Sequence, residues 1–237
     1  MTDGDEPPAI LAEAVSKRYG AFTAVERLDL HVRRGEVFCL LGPNGSGKTT
    51  FLRMLAGYLA PSAGRLLVAG HDVVRDGLAA KTKIGYVPES VPLYSHMRIG
   101  EFLRFMARLR RVPAAQVAAA VRRVAELLAL TDVLRKPIRA LSRGYRQRTA
   151  LAQALVHDPE ILILDEPTNG LDPRQIMETR ALIRSLSGRH TVLMSSHILS
   201  EVEKTADRAA LLLDGRLLGV RALADTPDLE AWFLSVT

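Results

Sequence analysis

The sequence predicts an α/β fold built on a mostly parallel sheet and interrupted by an all-helical insertion. Three observations predict it. Short, nearly continuous apolar runs at Val37 to Leu41, Ile161 to Leu164 and Thr191 to Met194 read as strands covered on both faces, as in a parallel sheet. Helical periodicity separates these runs. Between residues 99 and 128 the strand pattern gives way to amphipathic helical spacing alone.

In chain order, Ile10 to Val15 and Leu28 to Val32 alternate as strands do and precede the run Val37 to Leu41. Lys48 to Leu59 reads as a helix, with Pro61 and Gly64 as its stop. Arg65 to Ala69 and Ile84 to Val87 are further strands. In the insertion, Ile99, Phe102, Leu103 and Met106 recur at i, i+3, i+4 and i+7, with Arg104, Arg108 and Arg111 on the opposite side. Val117, Val121, Val124 and Leu128 repeat the stripe after Pro113. The strand Ile161 to Leu164 is followed by a helix from Pro173 to Leu186, the strand Thr191 to Met194 and a helix from about Ile198. Ala209 to Leu213 and Arg216 to Val220 flank an Asp214-Gly215 hairpin turn.

The chain has 237 residues and is 48% hydrophobic, enough for one large domain or one domain with an embedded subdomain. No apolar run approaches the roughly 20 residues of a membrane-spanning helix. The opening MTDGDEPPAI has neither a basic n-region nor an apolar h-region, so no signal peptide is expected. The single cysteine, Cys39, lies inside VFCLL and reads as a small buried hydrophobe in a reducing compartment. A cytosolic chain is the expectation, unless a partner holds it elsewhere.

Charge is unevenly placed. Residues 89 to 148 hold 13 Lys+Arg and 4 Asp+Glu, a net +9, which leaves −3 for the remainder of a chain at +6. Such a block can face nucleic acid or an anionic membrane surface, or can be a solvated helical face. No aromatic residues alternate with its arginines, which argues against a base-stacking surface.

A glycine-rich loop, Gly42-Pro43-Asn44-Gly45-Ser46-Gly47-Lys48-Thr49-Thr50, lies between a strand and a helix. Glycines let successive backbone N–H groups turn toward one anionic centre, at a helix N-terminus whose dipole favours negative charge. Lys48 would reach β- and γ-phosphates, and the Thr49 hydroxyl would ligate Mg²⁺. A chance glycine-rich turn would not need this flanking strand and helix. The loop alone does not separate kinases, GTPases, helicases and transport ATPases.

Asp165 and Glu166 narrow the choice. The apolar run places them at the carboxyl end of a core strand, where α/β sheets bind ligands. Asp165 can hold Mg²⁺ through water, and Glu166 can orient or deprotonate an attacking water. Two adjacent buried carboxylates repel unless a cation or donor offsets them, so a purely structural role does not account for the pair. His197 follows another strand end, where it can contact a γ-phosphate and sense hydrolysis, although a lone loop histidine carries no such meaning by itself. Tyr19 can stack on adenine or pack in the core. Ser142 to Tyr145 opens a second helix able to bind anions.

The whole set resembles an ABC-type ATPase (ATP-binding cassette), over nearly the entire chain. Tyr19 matches the adenine-stacking aromatic, GPNGSGKTT the Walker A loop, and Ile84 to Glu89 the Q-loop region. Leu141-Ser142-Arg143-Gly144-Tyr145 stands where the family has LSGGQ. ILILDEP matches Walker B, Gly170-Leu171-Asp172 the D-loop and His197 the switch histidine. Two departures stand out. Arg143 and Tyr145 replace Gly and Gln of the signature, while Ser142 and Gly144 survive. Glu89 replaces the usual glutamine, where a carboxylate would ligate Mg²⁺ more strongly but adds negative charge near the phosphates.

The resemblance implies a single domain over residues 1–237: a RecA-like P-loop NTPase core with a mostly parallel sheet, an N-terminal antiparallel β subdomain and a helical subdomain at about 90–157. It implies ATP and Mg²⁺ as ligands, with Thr49, Asp165 and Glu89 toward the metal. It also implies two such subunits, head to tail, enclosing each ATP between Walker A of one and Ser142, Gly144 and Tyr145 of the other, with Asp172 approaching the partner's site. A separate integral-membrane permease would then be needed, with the chain peripheral on the cytoplasmic side of the cell membrane and no nucleic acid expected. Glu89, PESVPLY and LSRGYRQR resemble cassettes of ABC-2-type exporters, nearest those of gliding motility or of copper-site maturation. The competing reading is a soluble ABC-type ATPase acting on nucleic acid or the ribosome. Against it, a single cassette is present, and Lys48 and Asp165 are too close for a coiled-coil arm between them.

Overall fold

The computed structural model describes residues 7–226 and 228–236. Strands β1 (Ile10–Tyr19) and β2 (Phe22–Val32) form an antiparallel hairpin, and β3 (Val37–Leu41) leads into α1 (Lys48–Leu55). Next come β4 (Ala63–Val68), β5 (His71–Asp72), α2 (Gly77–Thr82) and β6 (Ile84–Val87). Helices α3 (Ile99–Leu109), α4 (Val117–Leu127) and α5 (Arg143–Leu155) are inserted before β7 (Ile161–Leu164). The chain continues through α6 (Pro173–Leu186), β8 (Thr191–Ser196), α7 (Leu199–Thr205), β9 (Arg208–Leu213), β10 (Arg216–Ala222) and α8 (Leu229–Val236).

Two sheets result. A four-stranded antiparallel sheet has the order β2-β1-β4-β5. A six-stranded sheet, β10-β9-β3-β8-β7-β6, is parallel except for the edge strand β10. The expected mostly parallel α/β core and N-terminal antiparallel β layer are therefore both present. The strands β3, β7 and β8 run in one direction, so the segments after them emerge along one carboxyl edge.

Alternation along the parallel strands divides the core in two. Val37, Cys39, Leu41, Leu162, Leu164, Val192 and Met194 point into a cluster shared with Ile99, Phe102, Leu103 and the apolar stripes of α4 and α5. Phe38, Leu40, Ile161, Ile163 and Leu193 point the other way, against α1 and the antiparallel sheet. Each such side chain contributes roughly 1.5–3 kcal/mol on burial. Cys39 is buried as expected, and burial pushes its thiol pKa well above the ordinary range.

Three expectations need correction. The helix from Lys48 ends at Leu55, four residues before Leu59. Gly57 adopts φ 70°, its N–H bonds Met54 O at 3.1 Å, and the Tyr58 N–H bonds Arg53 O at 2.9 Å. This closes the helix as a Schellman cap before Pro61 is reached. The first two strands are longer than expected, because Ala14 (φ 48°) and Arg27 (φ 43°) place irregularities in the β1–β2 ladder and break the two-residue alternation. The short elements β5, α2 and α8 had no expectation. No helix among the described residues is long and apolar enough to cross a membrane.

Candidate nucleotide site

The site is assembled at the carboxyl edge of the six-stranded sheet. The loop after β3 turns through Gly45 (φ 83°) and Gly47 (φ 103°), both in the left-handed region where a side chain is strained. A Cβ on Gly47 would also collide with the Ala24 carbonyl from β2, so the antiparallel sheet braces the loop from outside. Lys48, 5% exposed, opens α1 and donates to Gly42 O at 2.7 Å and Pro43 O at 3.0 Å. Its Nζ lies 3.4 Å from Glu166 Oε1. That lysine is the cation required to offset adjacent carboxylates.

Asp165 and Glu166 leave the end of β7 in different directions. Asp165 Oδ1 accepts from Thr49 Oγ1 at 3.1 Å and Ser195 Oγ at 2.8 Å. Burial raises the Asp165 pKa, and the charges of Glu166 and Glu89 add to the rise, while the two hydroxyl donors oppose it. Glu166 sits at φ 49°, a strained conformation for a residue with a Cβ, held there by its N–H donating to Ser195 Oγ at 2.9 Å. Its Oε2 shares a 2.9 Å hydrogen bond with His197 Nδ1 from the end of β8. Buried Oε1 has no hydrogen-bond partner among the described residues, nor has Ser46 Oγ in the loop. Strained backbone, with a buried Oε1 that faces the Lys48 ammonium but has no hydrogen bond among the described residues, marks Glu166 as a candidate reacting group.

Among the described residues, the remaining predicted side chains make no direct hydrogen bond to Lys48, Asp165, Glu166 or His197. Tyr19 ends β1 with its ring half exposed, 5.4 Å from Lys17 Nζ. Ser142 caps α5, its Oγ accepting from the Tyr145 N–H at 3.5 Å. Gly144 faces Gln175 of α6, whose side chain would lie 2.8 Å from an added Cβ. Tyr145 is exposed, with the Arg148 guanidinium 5.6 Å from its ring centroid. Asp172 caps α6 by accepting from the Gln175 N–H at 2.9 Å. Glu89 accepts from Asn169 Nδ2 at 3.0 Å. Among the described residues, Ser142, Gly144 and Tyr145 make no hydrogen bond to residues 42–50; those of Ser142 and Tyr145 run within α5.

Sequence reasoning missed Ser195, which touches Asp165 through its side chain and Glu166 through the Glu166 N–H. The signal was present: β7 and β8 pair in parallel with Leu164 opposite Met194, so the next residues, Asp165 and Ser195, stand side by side. Asn169 and Gln147, which bond to Glu89 and to Pro167 O respectively, had no comparable signal.

A phosphate loop with its lysine, an aspartate on the following threonine and a strained glutamate paired with histidine define a P-loop ATPase. The ABC transporter family matches residues 25–169. The chain is 41% identical over 211 residues to a daunorubicin resistance ATP-binding protein of Streptomyces coeruleorubidus, covering 89% of this chain and 67% of that protein. It is 38% identical to a Nod factor export ATP-binding protein of Ralstonia nicotianae, covering 88% of this chain and 65% of that one. A bacitracin transport ATP-binding protein of Bacillus licheniformis is 37% identical, covering 86% and 66%. The chain thus spans about two thirds of the length of these relatives. A solved ATP-binding subunit of an ABC transporter superposes with TM-score 0.85 at 25% identity, over 96% of this chain and 99% of that one. The cbiO1 subunit of Clostridium perfringens gives TM-score 0.86 at 27% identity, over 98% and 95%. This chain belongs to the ABC transporter family, as an ATP-binding and ATP-hydrolysing subunit that works with a membrane permease component.

Proposed function

We propose that this subunit powers export through its permease, in the ABC-2 manner, by the ATP-driven closure of two copies around nucleotide. The observation that carries the reading is the separation of Ser142 and Gly144 from the phosphate loop. One chain offers a candidate catalytic edge at Lys48, Asp165, Glu166 and His197, and a second anion-binding helix start on the insertion, whose Ser142 and Gly144 make no hydrogen bond to that edge among the described residues. A second copy, reversed, brings the two together and carries Asp172 toward the opposing site. Export is favoured by the drug, Nod factor and bacitracin cassettes among the relatives. The particular branch, gliding motility or copper-site maturation, rests on the motif resemblance alone. The chain would sit peripherally on the cytoplasmic face of the membrane, with the basic insertion toward the leaflet and permease.

Within the site, the turned N–H groups of residues 44–49 and the Lys48 ammonium bind the triphosphate, Tyr19 stacks on adenine, and Glu166 orients the attacking water and takes its proton. His197 fixes the Glu166 carboxylate through their shared hydrogen bond. Thr49 Oγ1 and Asp165, hard oxygen donors with Glu89 nearby, fit Mg²⁺, which would neutralise charge on the phosphate oxygens. No group of three or more His, Cys, Asp or Glu able to hold a metal occurs among the described residues, which suits an ion ligated largely by phosphate and water.

Glu166→Gln tests the base. Steady-state turnover should fall by roughly 10²-fold or more while ATP binding persists and a dimer accumulates by light scattering. Turnover at the parent rate would remove Glu166 from the role.

A further inference from the structure

The two positions at which this sequence departs from its family's charge pattern, Arg143 and Glu89, meet on one residue. Arg143 Nη2 donates to the Asn169 carbonyl at 2.8 Å, and Asn169 Nδ2 donates to Glu89 Oε1 at 3.0 Å. Asn169 lies three residues beyond Glu166, and its own N–H bonds Glu166 O at 3.1 Å. We propose that Arg143, Asn169 and Glu89 form a brace that positions the loop carrying Glu166, and that through it the signature helix and the segment after β6 set the competence of the catalytic carboxylate. The proposal rests on Glu166 being the base.

Glu166 at the head of the loop is held by Ser195, His197 and Lys48, and Asn169 lies on the exposed part beyond it. The loop residues 166–170 follow the last β7 pairing and precede α6, so no sheet ladder holds them. The chain reverses at Gly170, φ 66°, where a Cβ would run into the Arg143 guanidinium, so glycine is needed both for the turn and for the arginine's approach. One turn along α5, on the same face, Gln147 Nε2 donates to Pro167 O at 2.9 Å. Arg143 and Gln147 are thus two rungs from one helix onto one loop. On the far side, the Thr168 hydroxyl donates to buried Glu201 of α7, which lies 3.6 Å from Arg180 of α6. Glu89, Arg143, Gln147, Glu166 and Asn169 also line one cavity of about 270 Å³.

Charge explains why these residue types serve. An arginine hydrogen bond to a carbonyl and an amide bond to a carboxylate are both charge-assisted, and so stronger than neutral ones. They act in series through a single residue, so loss of either end loosens the same part of the loop around Asn169. A displacement of Glu166 affects proton abstraction but leaves the phosphate loop, and hence nucleotide affinity, intact.

The test is a double-mutant cycle on the full chain with Arg143→Ala and Glu89→Ala, read by steady-state ATPase and by hydrogen exchange over residues 166–171 without nucleotide. Each single variant should lower kcat by roughly three- to tenfold at unchanged KM, and the double variant should be little worse than the weaker single. Exchange over 166–171 should quicken in all three. Glu89→Gln, whose amide oxygen still accepts from Asn169, should restore most of the parent kcat. Multiplicative losses, unchanged exchange, or an effect of Glu89→Ala that saturating Mg²⁺ abolishes would each overturn the brace. Should exchange quicken and Glu166→Gln nevertheless turn over normally, the brace stands and the base assignment fails.

Discussion

The two faces of the six-stranded sheet carry different halves of the chemistry. One face packs on α1 and the antiparallel sheet, and this side holds the phosphate loop rigidly: Gly47 is pressed on Ala24, and Phe51 and Leu52 of α1 are fully buried. The other face packs on the helical insertion through one continuous apolar cluster, but the insertion meets the catalytic edge through side-chain hydrogen bonds such as Arg143 to Asn169 O and Gln147 to Pro167 O. Packed apolar surface resists displacement because every lost contact opens a void, whereas a few polar rungs can be exchanged at small cost. On the proposed reading, the nucleotide would be gripped by the stiff side, and the residues proposed to engage a partner's nucleotide ride on the side with exchangeable links.

Lys48→Ala attacks the stiff side and has the largest expected effect. Nucleotide affinity should fall by about 10²-fold or more, since the buried ammonium proposed to meet the phosphates is lost. Equal affinity in a titration would remove the phosphate loop from the argument. Leu103→Ala in α3 sharpens the comparison from the opposite face. Leu103 is fully buried among the residues joining the insertion to the sheet, and its truncation should cost about 2–5 kcal/mol in denaturant unfolding. Nucleotide affinity measured well below the melting temperature should stay at the parent value. If it falls as it does for Lys48→Ala, the two faces are not separable.

Elements on both of these faces were legible in the sequence, whereas the contacts that tie them together were not. Apolar runs and helical stripes are long-wavelength signals, so β3, β7, β8, α3 and α4 could be placed from pattern alone. The phosphate loop and the Asp165-Glu166 pair were legible because their chemistry constrains residue type at fixed spacing. Contacts that depend on register were not. Ser195 reaches Asp165 only through strand pairing, and Asn169 reaches Glu89 across 80 positions of chain. Positive-φ residues with ordinary side chains, Ala14 and Glu166 among them, leave no mark in composition, because strain at such sites is held by surrounding structure and not by a glycine.

The smallest effect lies where the two faces meet. His157 follows α5, with Nε2 3.1 Å from Ile84 O of β6, and Arg123 of α4 donates to Leu155 O and Val156 O beside it. The His157 pKa lies at about 4, down from 6.5; burial is the main cause, and nearby Arg110 and Arg123 also lower it, against the Ile84 carbonyl and Asp158, which raise it. The sign follows from proton binding. Above pH 6.5 the imidazole is neutral both folded and unfolded, so His157 gives no slope. Below it the unfolded chain takes up a proton that the folded chain refuses until about pH 4, so stability falls as pH drops through that window. Unfolding midpoints of the parent should decline more steeply between those values than those of His157→Gln, whose amide can still meet Ile84 O without titrating. Parallel curves would mean that the junction between insertion and sheet does not feel this proton, and that acid weakens both faces alike.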